Sequence, residues 1–166
     1  METDETLRDE SGKGFPDECQ VAEAAKGDIV LISRNEDGDP FRKKAISHDG
    51  GETWRPLNID RGLPSVACMG SLIKGPIRAD GTWDLWASFP SSAGRRNGQI
   101  TVSADNGKTW RIAKLIRGPF SYSALQVSPD RSGLLCLYES DDCRSETLLT
   151  IPFNELRKSD QATGAR

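Results

Sequence analysis

The sequence predicts an all-β protein made of short antiparallel strands and tight turns. Three observations carry that expectation. Short β-branched or alternating apolar runs recur every eight to twelve residues or so, separated by Gly, Pro, Asn and Asp. No stretch before Phe153 holds the apolar period of a helix. One eight-residue turn pattern occurs twice, at Ser47 and Ser103, 56 positions apart. The cadence alone fits a sandwich, a barrel or a propeller.

The elements follow in order. Residues 1–16 are rich in Asp and Glu, with Gly and Ser and no apolar period, and read as a disordered lead-in. Gln20–Ala24 is a short strand. Asp28–Asn35 is a β-branched strand between Gly27 and the turn Asp37-Gly38-Asp39-Pro40. Arg42–Ser47 is the next, and Pro64–Lys74 carries Val66, Cys68, Met69, Leu72 and Ile73. Trp83–Phe89 alternates Trp83, Leu85, Ala87 and Phe89 on one face, the pattern of a half-buried strand. Gln99–Ser103, Trp110–Ile116, Ser121–Val127, Leu134–Glu139 and Glu146–Ile151 complete ten candidate strands. Asn154–Lys158 reads as one turn of helix, and residues 159–166 as a polar tail.

Composition removes several classes of function. The chain has 166 residues, and 22 Lys and Arg against 25 Asp and Glu leave a net charge of −3. That excludes a polybasic nucleic-acid or membrane-surface protein. Mean hydropathy is −0.55, and no apolar run approaches the ~18 residues of a membrane span. Met1–Glu10 shows neither a basic n-region nor an apolar h-region, so no signal peptide is expected. Cys19, Cys68, Cys136 and Cys143 lack C-x-x-C spacing and a nearby His, so no metal site and no cofactor is expected. Cys19, Cys68 and Cys136 lie in apolar runs and read as buried small hydrophobes. His48, the single histidine, sits in a turn and is not expected to act as a base.

The repeated turn decides the architecture. Ser47-His48-Asp49-Gly50-Gly51-Glu52-Thr53-Trp54 and Ser103-Ala104-Asp105-Asn106-Gly107-Lys108-Thr109-Trp110 share S-x-D-x-G-x-T-W, and Arg follows each. Each lies between two strands. Asp49 and Asp105 can accept local backbone N–H groups. Gly51 and Gly107 can supply positive φ. Ser47 and Ser103 can hold the carboxylates, while Trp54 and Trp110 pack back over the hairpins. These aspartates are read as folding devices. The pattern resembles the Asp-box, or bacterial neuraminidase repeat, which implies propeller blades of four strands each.

Further segments resemble the exo-α-sialidase (neuraminidase) family, in that family's order, from about Asp17 to Leu156. Glu18-Cys19-Gln20-Val21-Ala22-Glu23 resembles the segment of the sialidase glutamate. The strand Asp28–Asn35 places Arg34 like the second arginine of the family's triad. Cys68-Met69-Gly70-Ser71-Leu72-Ile73 resembles its C-x-G-S strand. The stretch from Phe89-Pro90 through Gly94-Arg95-Arg96-Asn97 resembles the loop of the third arginine. Of the adjacent pair only one faces the site, and Arg96, directly before Asn97, is expected there rather than Arg95. Ser121-Tyr122-Ser123-Ala124-Leu125 resembles the segment of the nucleophilic tyrosine, and Leu137-Tyr138-Glu139 the strand after it, with Glu139 an architectural acceptor.

The chemistry suits these residue types. Sialic acid bears a carboxylate on its anomeric carbon, and guanidinium forks grip carboxylates bidentately. A tyrosine nucleophile avoids setting a second carboxylate against it, and sialidases are the Tyr exception among retaining glycosidases. Glu18 would take the phenol proton of Tyr122, and nearby arginines would lower the phenol pKa.

The family's first arginine lies in an R-x-P motif and its acid/base aspartate in a following loop. No such motif precedes Glu18, and Arg8 and Asp9 lack that context. Ten strands make about two and a half to three blades of the family's six, so the resemblance implies a partial six-bladed propeller over residues 17–158. The expected reading is the C-terminal portion of an exo-α-sialidase acting on terminal sialic acid of glycoproteins, glycolipids or oligosaccharides. Alone, that portion is expected to be inactive or nearly so. The alternative is a non-catalytic Asp-box module that binds glycan or protein. The expected partner is a sialylated glycan, with self-association through open propeller edges. By family analogy the compartment is cytoplasmic or lysosomal.

Overall fold

A computed structural model describes residues 16–157. The expected tail 159–166 lies outside the described residues, as does the expected lead-in apart from Pro16, which opens the first strand.

Among the described residues, eleven strands form three antiparallel sheets. The first contains β1 (Pro16–Glu23), β2 (Ile29–Asn35), β3 (Phe41–Ser47) and β4 (Asn58–Pro64), in chain order. The second contains β5 (Ser71–Lys74), β6 (Leu85–Phe89), β7 (Arg96–Ser103) and β8 (Arg111–Pro119). The third contains β9 (Ser123–Val127), β10 (Gly133–Ser140) and β11 (Ser145–Pro152). Each sheet is a simple meander, the topology of a propeller blade. The first strands of the three sheets are neighbours, β5 packing against β1 on one side and β9 on the other. Serine side chains tie the second sheet to the third: Ser71 Oγ of β5 accepts from Leu125 N of β9 at 3.0 Å, and the hydroxyls of Ser88 in β6 and Ser123 in β9 meet at 2.8 Å.

Apolar residues fill the two seams between sheets. Val30, Ile32, Leu63, Leu72, Leu85, Ala87 and Phe89 fill the first. Trp86, Ile100, Phe120, Leu125, Leu134 and Ile151 fill the second, closed by Phe153 and Leu156 of a final turn of helix, α1 (Phe153–Arg157). Burying one such side chain contributes about 1.5–3 kcal/mol. The middle sheet lies between both seams. β6 is therefore buried along its whole length, where the alternation of Trp83–Phe89 predicts a half-buried strand.

Two other expectations are corrected. β4 is an additional strand, because Asn58-Ile59-Asp60-Arg61-Gly62-Leu63-Pro64 mixes Asp, Gly and Pro into a segment whose pairing comes from β3. Cys68 and Cys136 are buried, but Cys19 is exposed. The register of β1 slips between Asp17 and Gln20, with Glu18 at φ 45°, and this bulge turns Cys19 outward.

Both repeated turns form as their residues predict. Ser47 Oγ donates to Asp49 at 2.7 Å and Ser103 Oγ to Asp105 at 2.8 Å. Gly51 N and Gly107 N each donate to the serine hydroxyl of their turn at 2.8 Å. Thr53 and Thr109 each give the carboxylate an N–H and an O–H bond. Gly51 and Gly107 have φ of 99° and 77°.

Candidate active site

The bulge that displaces Cys19 also aims Glu18. In the β1–β2 ladder Asp17 faces Arg34, and Gln20 faces Ile32. The extra residue lets the Glu18 carboxylate reach the end of β2, where Arg34 Nη1 donates to its Oε2 at 2.9 Å. The other Glu18 oxygen accepts from the Tyr122 hydroxyl in a short hydrogen bond. Arg34 Nη1 also stands 3.3 Å from the Tyr122 oxygen. Glu18 and Tyr122 are 104 positions apart in sequence. The inner row of β1, β5 and β9 brings them together, since Tyr122 immediately precedes β9.

The Glu36 carboxylate ion-pairs with Arg34 Nε, so two carboxylates orient one guanidinium. Sequence reasoning did not single out Glu36. Its signal was its place two residues beyond Arg34, on the same face of an extended chain.

Arg95, not Arg96, reaches Tyr122, which corrects the expected choice. The Arg95 guanidinium lies 5.3 Å from the Tyr122 ring centroid, and its Nη1 donates to Ser121 Oγ at 3.2 Å. The reason is backbone register. Arg95 O accepts from Phe120 N at 3.2 Å, which sets Arg95 beside residues 120–121. Arg96 opens β7 opposite Pro119, and successive residues of an extended chain project to opposite sides. Glu139 accepts, as expected of it: Tyr122 N donates to its Oε2 at 3.3 Å.

The electrostatics follow from these contacts. Burial pushes the Glu18 carboxyl up, but hydrogen bonds from Tyr122 and Arg34 and the charges of Arg34 and Arg95 outweigh it, leaving its pKa below the ordinary value. The hydrogen bond to Glu18 raises the Tyr122 phenol, helped by burial and the Glu18 charge, against Arg34 and Arg95. The arginines act in the expected direction, yet the net shift is upward. At rest the proton therefore sits on the phenol and Glu18 is an ionised acceptor. Arg34 is held in its charged form, first by its hydrogen bond to Glu18.

Two cavities flank Tyr122. One of about 240 Å³ is lined by Met69, Tyr122, Ser123, Leu137 and Glu139. The other, about 200 Å³, is lined by Arg95, Phe120, Ser121, Glu139 and Cys143. A larger open depression of about 360 Å³ lies elsewhere, along β3 and β4 beside Lys44, Arg55 and Arg61. It holds none of the residues around Tyr122. His48 is likewise away from the cluster, with Nδ1 3.1 Å from Asp28. The remaining expected residues, Ser47, Asp49, Gly51, Trp54, Ser103, Asp105, Gly107 and Trp110, build the two turns described above.

Comparison with known proteins gives a consistent result. A model of the BNR/Asp-box repeat matches residues 45–56. A sialidase of Micromonospora viridifaciens is 36% identical over 128 residues, covering 72% of this chain and 20% of its own length. A sialidase of Bacteroides fragilis (strain YCH46) is 35% identical over 131 residues, covering 74% of this chain and 24% of that protein. Among solved structures, the leech intramolecular trans-sialidase superposes with a TM-score of 0.68 at 25% identity, covering 85% of this chain and 24% of that one. The chain thus spans about a quarter or less of each of these three proteins.

Proposed function

We propose, from the premise that this is a sialidase-family chain carrying part of the family's propeller, that Tyr122 and Glu18 form the nucleophile pair of an exo-α-sialidase site. The observation that carries the reading is the hydrogen bond between the phenol and Glu18, with Arg34 donating to both. The substrate is a terminal sialic acid on a glycoprotein, glycolipid or oligosaccharide.

In this reading Arg34 and Arg95 grip the sugar carboxylate and place the anomeric carbon before Tyr122. The phenol oxygen forms a bond to that carbon as the glycosidic C–O bond breaks. The phenol proton passes to Glu18, whose depressed pKa keeps it ionised until then. Water then attacks the same carbon, the bond from that carbon to the tyrosine oxygen breaks, and Glu18 returns its proton to that oxygen. The water's own proton goes to the conjugate base of the acid that protonated the leaving group, and configuration is retained. The leaving oxygen takes its proton from an acid outside the Glu18–Tyr122 pair. The family's R-x-P motif is not found before Glu18 in this sequence, so we propose that the chain alone turns over slowly or not at all. A missing general acid typically costs about 10²–10⁴-fold.

Binding and turnover are tested separately. The chain should bind an unsaturated sialic acid glycal in an NMR titration, and Arg34→Ala and Arg95→Ala should each weaken that binding at least about tenfold. Hydrolysis of a fluorogenic sialoside should be slow and should vanish in Tyr122→Phe. Glycal binding untouched by both arginine changes would overturn the site. Turnover that survives Tyr122→Phe would overturn the nucleophile.

A further inference from the structure

The Arg95 side chain is exposed, and a free arginine on a loop samples many rotamers. Its position over Tyr122 therefore needs an anchor. Ser121 is 2% exposed, and its hydroxyl has three neighbours. Arg95 Nη1 points at Oγ from 3.2 Å, the Glu139 carboxylate hydrogen-bonds to it, and Cys68 Sγ lies 3.7 Å away.

The donor and acceptor count of a serine hydroxyl resolves the directions. It has one O–H to donate and two lone pairs to accept with. A guanidinium only donates, and an ionised carboxylate only accepts. The Ser121 proton must therefore go to Glu139, and one lone pair takes the Arg95 N–H. The second is left for the weak S–H donor of Cys68, whose thiol burial holds in its protonated form. Every hydrogen-bonding site of the hydroxyl is used. The backbone beneath it is also fixed: Ser121 N donates to Glu139 O at 3.1 Å, and Phe120 N to Arg95 O at 3.2 Å.

We infer that Ser121 is a positioning residue, whose hydroxyl couples Arg95 to Glu139 and holds the guanidinium against Tyr122. The inference builds on the assignment of Tyr122 and Arg95 to one site and reaches further, because it says how the arginine is kept there. Ser121→Ala leaves the backbone bonds in place and removes the anchor alone.

The chain has two tyrosines, so Tyr138→Phe leaves Tyr122 as the single reporter, and Tyr138 stacks on Phe120 through its ring. The full chain is labelled with difluorotyrosine, whose phenol titrates near neutral pH, and fluorine NMR follows its ionisation. Arg95→Gln should raise the Tyr122 midpoint, since a cation that favours the phenolate is lost. Ser121→Ala should raise it equally, and the double variant should go no higher. Ser121→Thr, which keeps a hydroxyl, should restore the starting midpoint. An unshifted midpoint in Ser121→Ala overturns the inference. So does a shift that persists on the Arg95→Gln background, or a Thr variant that behaves like Ala. Sialic acid takes no part in this titration. Loss of glycal binding by the unaltered chain would end the sialidase reading while leaving the coupling result standing.

Discussion

The two repeated turns make the same internal hydrogen bonds, yet they stand in different places. The turn at 47–54 packs Trp54 over Leu31, Ala45 and Leu57 of its own sheet. The turn at 103–110 reaches across a seam. Asn106 Oδ1 accepts from Ala25 N at 3.1 Å, Gly107 O accepts from Lys44 Nζ at 2.6 Å, and Trp110 packs into the core between the first two sheets. One motif therefore does two jobs. It closes a hairpin by its own side chains, and in the second copy it also bolts one sheet to the next. Local bonds came with the motif; the seam contacts depend on what faces it.

The glycines should expose the difference most strongly. At Gly107, φ is +77° and an added Cβ would lie 2.9 Å from Val30 Cγ2. At Gly51, φ is +99° but the nearest atom, Ile29 Cδ1, is 3.5 Å away, an ordinary contact. Gly107→Ala adds overpacking to left-handed strain and should cost about 2–4 kcal/mol. Gly51→Ala should cost about 1–2 kcal/mol from strain alone. Urea denaturation of the two variants measures both, and equal losses would mean the seam is not tightly packed at Val30.

A smaller exchange isolates one bond. The first turn has Gly50 where the second has Asn106. Asn106→Gly keeps the left-handed conformation of Asn106 (φ 61°) and removes the acceptor for Ala25 N–H, so about 1 kcal/mol should be lost. Gly50→Asn should change stability by less, because nothing lies within 4 Å of a Cβ there. If Asn106→Gly is silent, the cross-seam bond contributes nothing beyond packing.

The same division separates what was readable in the residues from what was not. The turns were legible because Ser, Asp, Gly and Thr satisfy each other within eight positions. Glu18, Arg34 and Tyr122 were legible only through likeness to a family, since no spacing relates residues that meet through three inner strands. Arg95 and Arg96 are adjacent and identical, and the backbone register marked by the Arg95–Phe120 bond distinguishes them. β4 was illegible because its strand character is imposed by β3. Arg42 and Lys43 would pass for a solvated pair, yet each is 1% exposed. Arg42 donates to Cys68 O at 2.9 Å and lies over Phe89, while Lys43 reaches Asp37 at 3.3 Å. Their burial comes from the sheet that covers them.

The smallest expected effect is in acid. The Thr53 hydroxyl, the Thr53 N–H and Ser47 hold Asp49 down to about 2 from an ordinary 3.8. At Asp105 burial pushes upward first, and the matching bonds from Thr109 and Ser103 still leave a net lowering. A carboxylate whose pKa is lower folded than unfolded stabilises the fold above its unfolded value. That contribution is lost as pH falls through the folded value. For Asp49 the window runs from about pH 4 down to about 2. There the unfolded chain binds more protons, so stability must rise with pH. Asp49→Asn should flatten the dependence of the thermal midpoint on pH across that window. Asp105→Asn should flatten it less, because part of its lowering is offset by the burial that the seam imposes. Equal flattening would show that the second turn is as open to water as the first, and that its cross-seam contacts leave the carboxylate's solvation unchanged.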